Sequence, residues 1–266
     1  MGKSEIRVPL KSLSCVGMDS IVNLVSEHLE RVGEKAIVTF TTSGCFDEKS
    51  TFFLNRDCLS LHSNFGRKDK LQKNKEEEEV NKVAENEKRR KVVDNDEIRR
   101  VVESARKVRE KCGKGTLHFL CSSGMEEEEW NLLGESQLDS FSFPLFTSRK
   151  RYLESLYGNS QYLTLVKRAI ASIKQKGKIV CLEFFILPGF SDEIEEFESL
   201  VSLLKEIDID KLKLKNFVGD STSFLSSISH VPSPNTSILE LLKNLQSSFP
   251  NLHIGYHNMP KYSSLQ

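Results

Sequence analysis

With 266 residues, 38 basic and 38 acidic side chains and an apolar share of 38%, the chain is long enough for one large α/β domain or two small ones. Its formal charge of zero argues against a generally basic nucleic-acid-binding protein, and no stretch approaches the roughly 18 uncharged apolar residues of a membrane span. Six cysteines are too few for a disulfide scaffold and the N-terminus lacks the apolar core of a signal peptide, so we expect a cytoplasmic protein with reduced thiols and no membrane association.

The N-terminal part of the chain, residues 1–65, predicts a helix followed by a strand. Residues 16–31 have a helical pattern, and residues 35–42 are rich in β-branched residues and lead into a Ser-Gly turn. Residues 66–93 are dominated by Lys, Arg, Asp and Glu and contain few aliphatic residues. Such a segment cannot bury enough apolar surface to offset the entropy of ordering it. We therefore interpret residues 66–93 as a charged insertion or linker.

The remaining part of the chain, residues 94–266, predicts alternating helices and strands. Apolar residues at spacings of three and four predict helices over residues 94–112, 125–133, 161–176, 193–207 and 236–248. Strand-like runs cover residues 116–121, 138–145, 179–187, 211–217 and 252–256. This alternation is typical of βαβ units with a parallel sheet, in which ligands bind at the carboxyl ends of the strands.

The most specific local signal is the turn after the strand over residues 179–187. Pro188 and Gly189 end this strand, and Ser191 is the expected N-cap of a helix that carries several carboxylates in its first turns. A well-made strand-to-helix turn explains the whole pattern. The same glycine would also let a ligand approach the backbone beside the helix N-terminus.

Between residues 138 and 260, the order of the motifs resembles that of radical S-adenosylmethionine (radical SAM) enzymes. The similar segments are Leu187-Pro188-Gly189-Phe190-Ser191-Asp192-Glu193, Ile209-Asp210-Lys211-Leu212-Lys213-Leu214-Lys215-Asn216-Phe217, the serine-bearing strand Ser140-Phe141-Ser142-Phe143, and the stretches over residues 152–158 and 249–260. The resemblance implies a partial (β/α) barrel of about six parallel strands. It also implies ligand or cofactor contacts at five positions: Ser140, Ser142, Pro188, Gly189 and Lys213.

The cluster-binding motif of that family is degraded in this chain. Radical SAM enzymes bind a [4Fe–4S] cluster through a C-x3-C-x2-C loop after the first strand, and soft thiolate sulfur holds the irons. Cys45 can be placed on the first position, but the second and third positions then fall on Lys49 and Phe52. We therefore expect no bound cofactor and a noncatalytic protein that binds a small ligand or a protein partner.

Two alternatives stay open. An active radical SAM enzyme, with S-adenosylmethionine and a [4Fe–4S] cluster, would need unusual ligands, for which Cys45 and Cys58 with Cys121 or a thiol of another protein are the candidates. An interaction scaffold would instead use the charged segment 66–93 to dock a partner by charge.

Three lysines alternate along the strand over residues 211–217 and so share one face of it: Lys211, Lys213 and Lys215. In a barrel this face would point inward toward an anionic ligand. At the edge of a sheet the same lysines would discourage aggregation.

Overall fold

The computed structural model describes residues 4–9, 18–41, 95–121, 125–217, 220–231 and 237–256. Seven parallel strands form one sheet, and each strand pairs with the next one along the chain. The strands are β1 (Ser4–Pro9), β2 (Ala36–Thr41), β3 (Thr116–Leu120), β4 (Ser140–Leu145), β5 (Ile179–Ile186), β6 (Lys211–Asn216) and β7 (His253–Gly255). In the part of the chain that the structure describes the sheet is open, with β1 and β7 at its edges.

Helices connect the strands. They are α1 (Met18–Val32), α2 (Asn95–Lys111), α3 (Glu127–Glu135), α4 (Leu153–Tyr157), α5 (Tyr162–Gln175), α6 (Ile194–Glu206), α7 (Ser221–Ser227) and α8 (Ile238–Ser248). None of the described helices is long and apolar enough to cross a membrane. The predicted α/β fold, a partial barrel of parallel strands, is confirmed, with seven strands instead of about six.

One face of the sheet packs against the helices and forms the main hydrophobic core. Phe40, Phe119, Phe141 and Phe184 occupy this face on β2 to β5, and all four are fully buried. The apolar stripes of the helices cover them, as the spacing of three and four residues predicts. Each fully buried phenylalanine contributes about 1.5–3 kcal/mol of hydrophobic stabilisation, so this face holds the sheet and the helices together.

Three of the described elements were not predicted, because their sequences carry weak signals: strand β1 and the short helices α4 and α7. Strand β1 has only two apolar residues on its core side, Ile6 and Val8, among charged and polar neighbours. Helix α7 is short and rich in serine, which favours helix interiors weakly. Asp220 compensates at its N-cap, where the carboxylate accepts hydrogen bonds from the backbone N–H groups of Thr222 (3.0 Å) and Ser223 (3.2 Å).

The prediction that Ser191 is the N-cap of the helix after β5 is wrong. Helix α6 begins at Ile194, and Glu193 takes the N-cap position. The hydroxyl of Ser191 instead accepts a hydrogen bond from the Leu187 N–H (2.7 Å) and donates one to the Leu187 carbonyl (2.9 Å). Ser191 therefore closes the turn rather than starting the helix.

Candidate functional site

The face of the sheet opposite the main core carries many polar residues, and we call it the inner wall. Its carboxyl end is apolar, because Phe185 of β5 packs there in a second hydrophobic cluster with Phe146 and Phe224. Successive side chains of a strand point to opposite faces, so the residues between the core positions line this wall. Apart from a few apolar residues such as Ile37, Leu120 and Phe185, they are Thr39, Thr41, His118, Ser140, Ser142, Cys181, Glu183, Lys211, Lys213 and Lys215. All of them except Lys215 are buried. A buried polar wall is unusual, because polar side chains lose hydration when they leave water.

A charged pair occupies the wall where β5 and β6 meet. The register places Glu183 beside Lys213, and the Lys213 ammonium lies 2.7 Å from Oε1 of Glu183. Both side chains are at most 3% exposed. Burial alone would raise the pKa of Glu183, but the ammonium groups of Lys213 and Lys215 together lower it below its ordinary value. The carboxylate is therefore ionised at neutral pH.

A buried histidine lies two strands away on the same wall. His118 on β3 is 1% exposed, and its Nδ1 lies 2.7 Å from the hydroxyl of Ser140 on β4. Burial, and then the positive charge of Lys213, lower the pKa of His118 to about 3. The imidazole is therefore neutral at pH 7 and can offer one donor or one acceptor at Nε2.

Three buried polar atoms of the inner wall have no hydrogen-bond partner among the described residues. They are Nε2 of His118, Oγ of Ser142 and Oε2 of Glu183, on the three adjacent strands β3, β4 and β5. Buried polar groups are almost always hydrogen-bonded, and leaving one unpaired costs about 1–3 kcal/mol. Three such atoms lie on one face of the sheet, so this face keeps hydrogen-bonding capacity that no described residue uses.

The cysteines that the structure describes do not form a cluster site. Cys112 and Cys121 belong to the helix-side core, whereas Cys181 lies on the inner wall. Burial raises the pKa of Cys181 to about 12, so it carries a thiol rather than a thiolate. Within the described ranges no three His, Cys, Asp or Glu side chains are arranged to hold a metal ion. The three described cysteines do not fit a [4Fe–4S] cluster, which takes thiolate ligands. The described residues do not include Cys45, Cys58 or the segment 66–93.

The structure places the five sequence-predicted ligand positions in two groups. Ser140, Ser142 and Lys213 lie together on the inner wall. Pro188 is exposed and Gly189 is half-buried, and both lie in the turn beyond the carboxyl end of β5. Gly189 has a φ of +80°, a left-handed conformation that glycine adopts without strain.

The prediction that the three lysines of β6 share one face is confirmed. The edge interpretation is wrong, because β6 lies between β5 and β7. The sequence analysis missed Glu183 and His118. A single carboxylate in an otherwise apolar strand, followed by a strand with alternating lysines, was the signal that could have revealed the buried pair of Glu183 and Lys213.

A second polar network, at the rim of the sheet, fixes the loops after β4 and β5. Arg149 is 1% exposed; its Nε donates to Glu196 (2.8 Å), and its guanidinium also pairs with Glu193. Glu196 accepts further hydrogen bonds from the N–H and the hydroxyl of Ser148 (2.6 and 2.8 Å). Burial is the main influence on the pKa of Glu196 and raises it. The network ties the two loops together beside the carboxyl ends of the strands.

Comparison with known proteins identifies the fold. No protein-family model matches the chain, and no curated protein matches its sequence. Among solved structures, methylornithine synthase (PylB) superposes with a TM-score of 0.51 at 14% identity, over 92% of this chain and 63% of that one. HydG, a maturase of the [FeFe]-hydrogenase, gives a TM-score of 0.53 at 10% identity, over 92% of this chain and 46% of that one. The fold is radical-SAM-like.

The radical-SAM-like chain spans less than two thirds of the length of either protein, 63% of PylB and 46% of HydG. SuiB from Streptococcus suis, in complex with the precursor peptide SuiA, has a TM-score of 0.48 at 10% identity, over 92% of this chain and 43% of that one. At these identities the likeness concerns the fold alone.

Proposed function

We propose that the chain is a radical-SAM-like protein without an intact [4Fe–4S] site, and that it binds a small polar ligand on its inner wall. The observation that carries this proposal is the row of three buried polar atoms without partners among the described residues, on His118, Ser142 and Glu183. In this proposal S-adenosylmethionine is not cleaved. Its cleavage would need the [4Fe–4S] cluster, which supplies that chemistry, whereas the protein only positions the reacting groups.

The row of atoms without a hydrogen-bond partner among the described residues defines what the ligand must offer. An ionised carboxylate only accepts hydrogen bonds, so the group that meets Oε2 of Glu183 is a hydroxyl or an N–H. Lys213 already supplies the counter-charge of this carboxylate, so the ligand needs hydrogen-bond donors rather than positive charge. Ser142 can donate or accept. These requirements describe a molecule with several hydroxyl or amide groups, such as a nucleoside.

The absence of cluster chemistry is also part of the proposal. In the sequence, the positions that follow Cys45 at the family spacing are Lys49 and Phe52, and neither side chain is a ligand for iron in a cluster. Cys181 faces the wall as a neutral thiol and lies on β5, far along the chain from that loop. Both facts favour a noncatalytic ligand-binding role over the active-enzyme alternative.

Anaerobic reconstitution with iron and sulfide tests the cluster-free part of the proposal. We expect purified protein treated in this way to show no stoichiometric iron and no visible absorption band, and we expect Cys45→Ala to give the same iron content as the wild type. Iron and sulfide are measured chemically after desalting. A full cluster per chain that Cys45→Ala or Cys58→Ala removes would instead establish the active-enzyme alternative.

Calorimetric titration with adenosine and with S-adenosylmethionine tests the ligand-binding part. If a nucleoside lies on the inner wall, Ser142→Ala should weaken its binding by roughly three- to tenfold, the value of one hydrogen bond. Ser172→Ala removes a hydroxyl from helix α5 outside the wall and should change nothing. Equal affinity in the wild type and Ser142→Ala, or failure of both probes to bind, would count against a nucleoside ligand.

A further inference from the structure

A second cleft lies at the rim of the sheet and shares no residue with the inner wall. It has a volume of about 650 Å³ and opens between residues 151–152, 193–195 and 229–231. The segment 151–152 follows β4, and the segment 193–195 follows β5. We call it the rim cleft.

Polar contacts of His230 form the floor of the rim cleft. His230 Nε2 lies 3.1 Å from a carboxylate oxygen of Glu193 and 3.2 Å from the carbonyl oxygen of Gly189, so this nitrogen carries the hydrogen. Its Nδ1 lies 2.8 Å from the hydroxyl of Tyr152. The residue before the histidine, Ser229, has a φ of 52°, in the left-handed region.

The aromatic ring on this floor already binds cations of the chain itself. The guanidinium carbon of Arg149 lies 4.8 Å from the centre of the Tyr152 ring, and that of Arg151 lies 4.8 Å from the same centre. Arg149 is buried, whereas the side chain of Arg151 is 53% exposed and lies in the cleft. Both distances are within the range of an attractive cation–π contact.

Arg151 is held in the cleft by a weak partner. Its guanidinium lies 2.6 Å from a carboxylate oxygen of Glu195, whose side chain is 54% exposed. Ion pairs between exposed side chains contribute little, because water solvates both groups well. Two exposed aliphatic residues, Ile194 and Val231, lie beside this pair at 59% and 81% exposure.

We propose that the rim cleft binds an arginine side chain of a protein partner, which replaces Arg151 over the Tyr152 ring and against Glu195. The guanidinium of Arg151 shows which chemistry the cleft accepts: a planar cation over an aromatic ring with a carboxylate beside it. The aliphatic part of the incoming side chain packs on Ile194 and Val231. This proposal is independent of the ligand on the inner wall.

The direction in which one substitution changes the binding affinity distinguishes this proposal from an anion-binding site. Arg151→Ala removes the internal competitor, so binding of an arginine peptide becomes tighter, by roughly two- to fivefold given the weakness of exposed ion pairs. If the cleft were an anion site, the same substitution would remove its cation and weaken binding. Glu195→Gln should weaken binding of the arginine peptide.

The test is an NMR titration of the full chain with the blocked peptide acetyl-Leu-Arg-Leu-amide, followed at the methyl groups of Ile194 and Val231. The matched probe carries citrulline in place of arginine, which has the same shape and no charge, and the control variants are Lys150→Ala and Glu198→Gln, at exposed positions that do not line the cleft. The proposal is supported if the methyl chemical shifts change with the arginine peptide but not with the citrulline peptide, and if the affinity is higher in Arg151→Ala and unchanged in the control variants. Equal binding of citrulline, weaker binding in Arg151→Ala, or no shift at these methyl groups overturns it.

Discussion

Replacing Lys213 by methionine should lower the free energy of unfolding by about 3–5 kcal/mol, the usual cost of removing one member of a buried ion pair. The substitution leaves the carboxylate of Glu183 inside the protein without the ammonium that lies 2.7 Å away in the wild type. Lys215 compensates only in part, since its Nζ lies 4.0 Å from Oε2 of Glu183 and its side chain is 24% exposed. Urea unfolding of the two proteins at pH 7 measures the difference.

A double substitution and a neighbouring lysine are the controls for this prediction. Lys213→Met combined with Glu183→Gln removes both charges, and we expect it to recover much of the lost stability because no uncompensated charge stays buried. Lys215→Met removes a lysine whose side chain is 24% exposed, so its effect should be below about 1 kcal/mol. Similar losses in Lys213→Met and Lys215→Met would show that the buried pair does not stabilise the inner wall.

Much of the fold could be predicted because its signals are local. The buried run of β5 and the stripes of α5 and α6 follow directly from the spacing of apolar residues. The shared face of Lys211, Lys213 and Lys215 follows from the two-residue period of a strand. Strand β1 escaped prediction because a strand with so few apolar residues has no local signal.

The partners within the site could not be predicted in the same way. Glu183 and Lys213 are adjacent only because β5 and β6 pair in one register, and no local pattern specifies that register. The rim cleft combines side chains from three segments, near residues 151, 194 and 230, that are widely separated in sequence. Loops that are distant in sequence pack together to form polar sites of this kind, so their residues can be identified only in the folded structure.

Acid should destabilise the protein through His118, at pH values well above those at which carboxylates protonate. In the unfolded chain the pKa of this histidine is 6.5, whereas burial, and then the charge of Lys213, lower it to about 3 in the folded protein. Between these values the unfolded state binds more protons, so stability rises with pH. Below pH 6.5 the contribution of His118 to stability should fall by about 1.4 kcal/mol for each pH unit, until the pH reaches the folded pKa.

Urea unfolding between pH 7.5 and pH 5 compares the wild type with His118→Gln, which cannot bind the proton. The variant should lose less stability over this range, and the difference between the two curves should grow as the pH falls. His253→Gln, at an exposed position on β7, should follow the wild-type curve. Parallel curves for the wild type and His118→Gln would mean that His118 binds its proton in the folded protein at the same pH as in the unfolded chain, and that the inner wall is more polar around Nε2 than its burial implies.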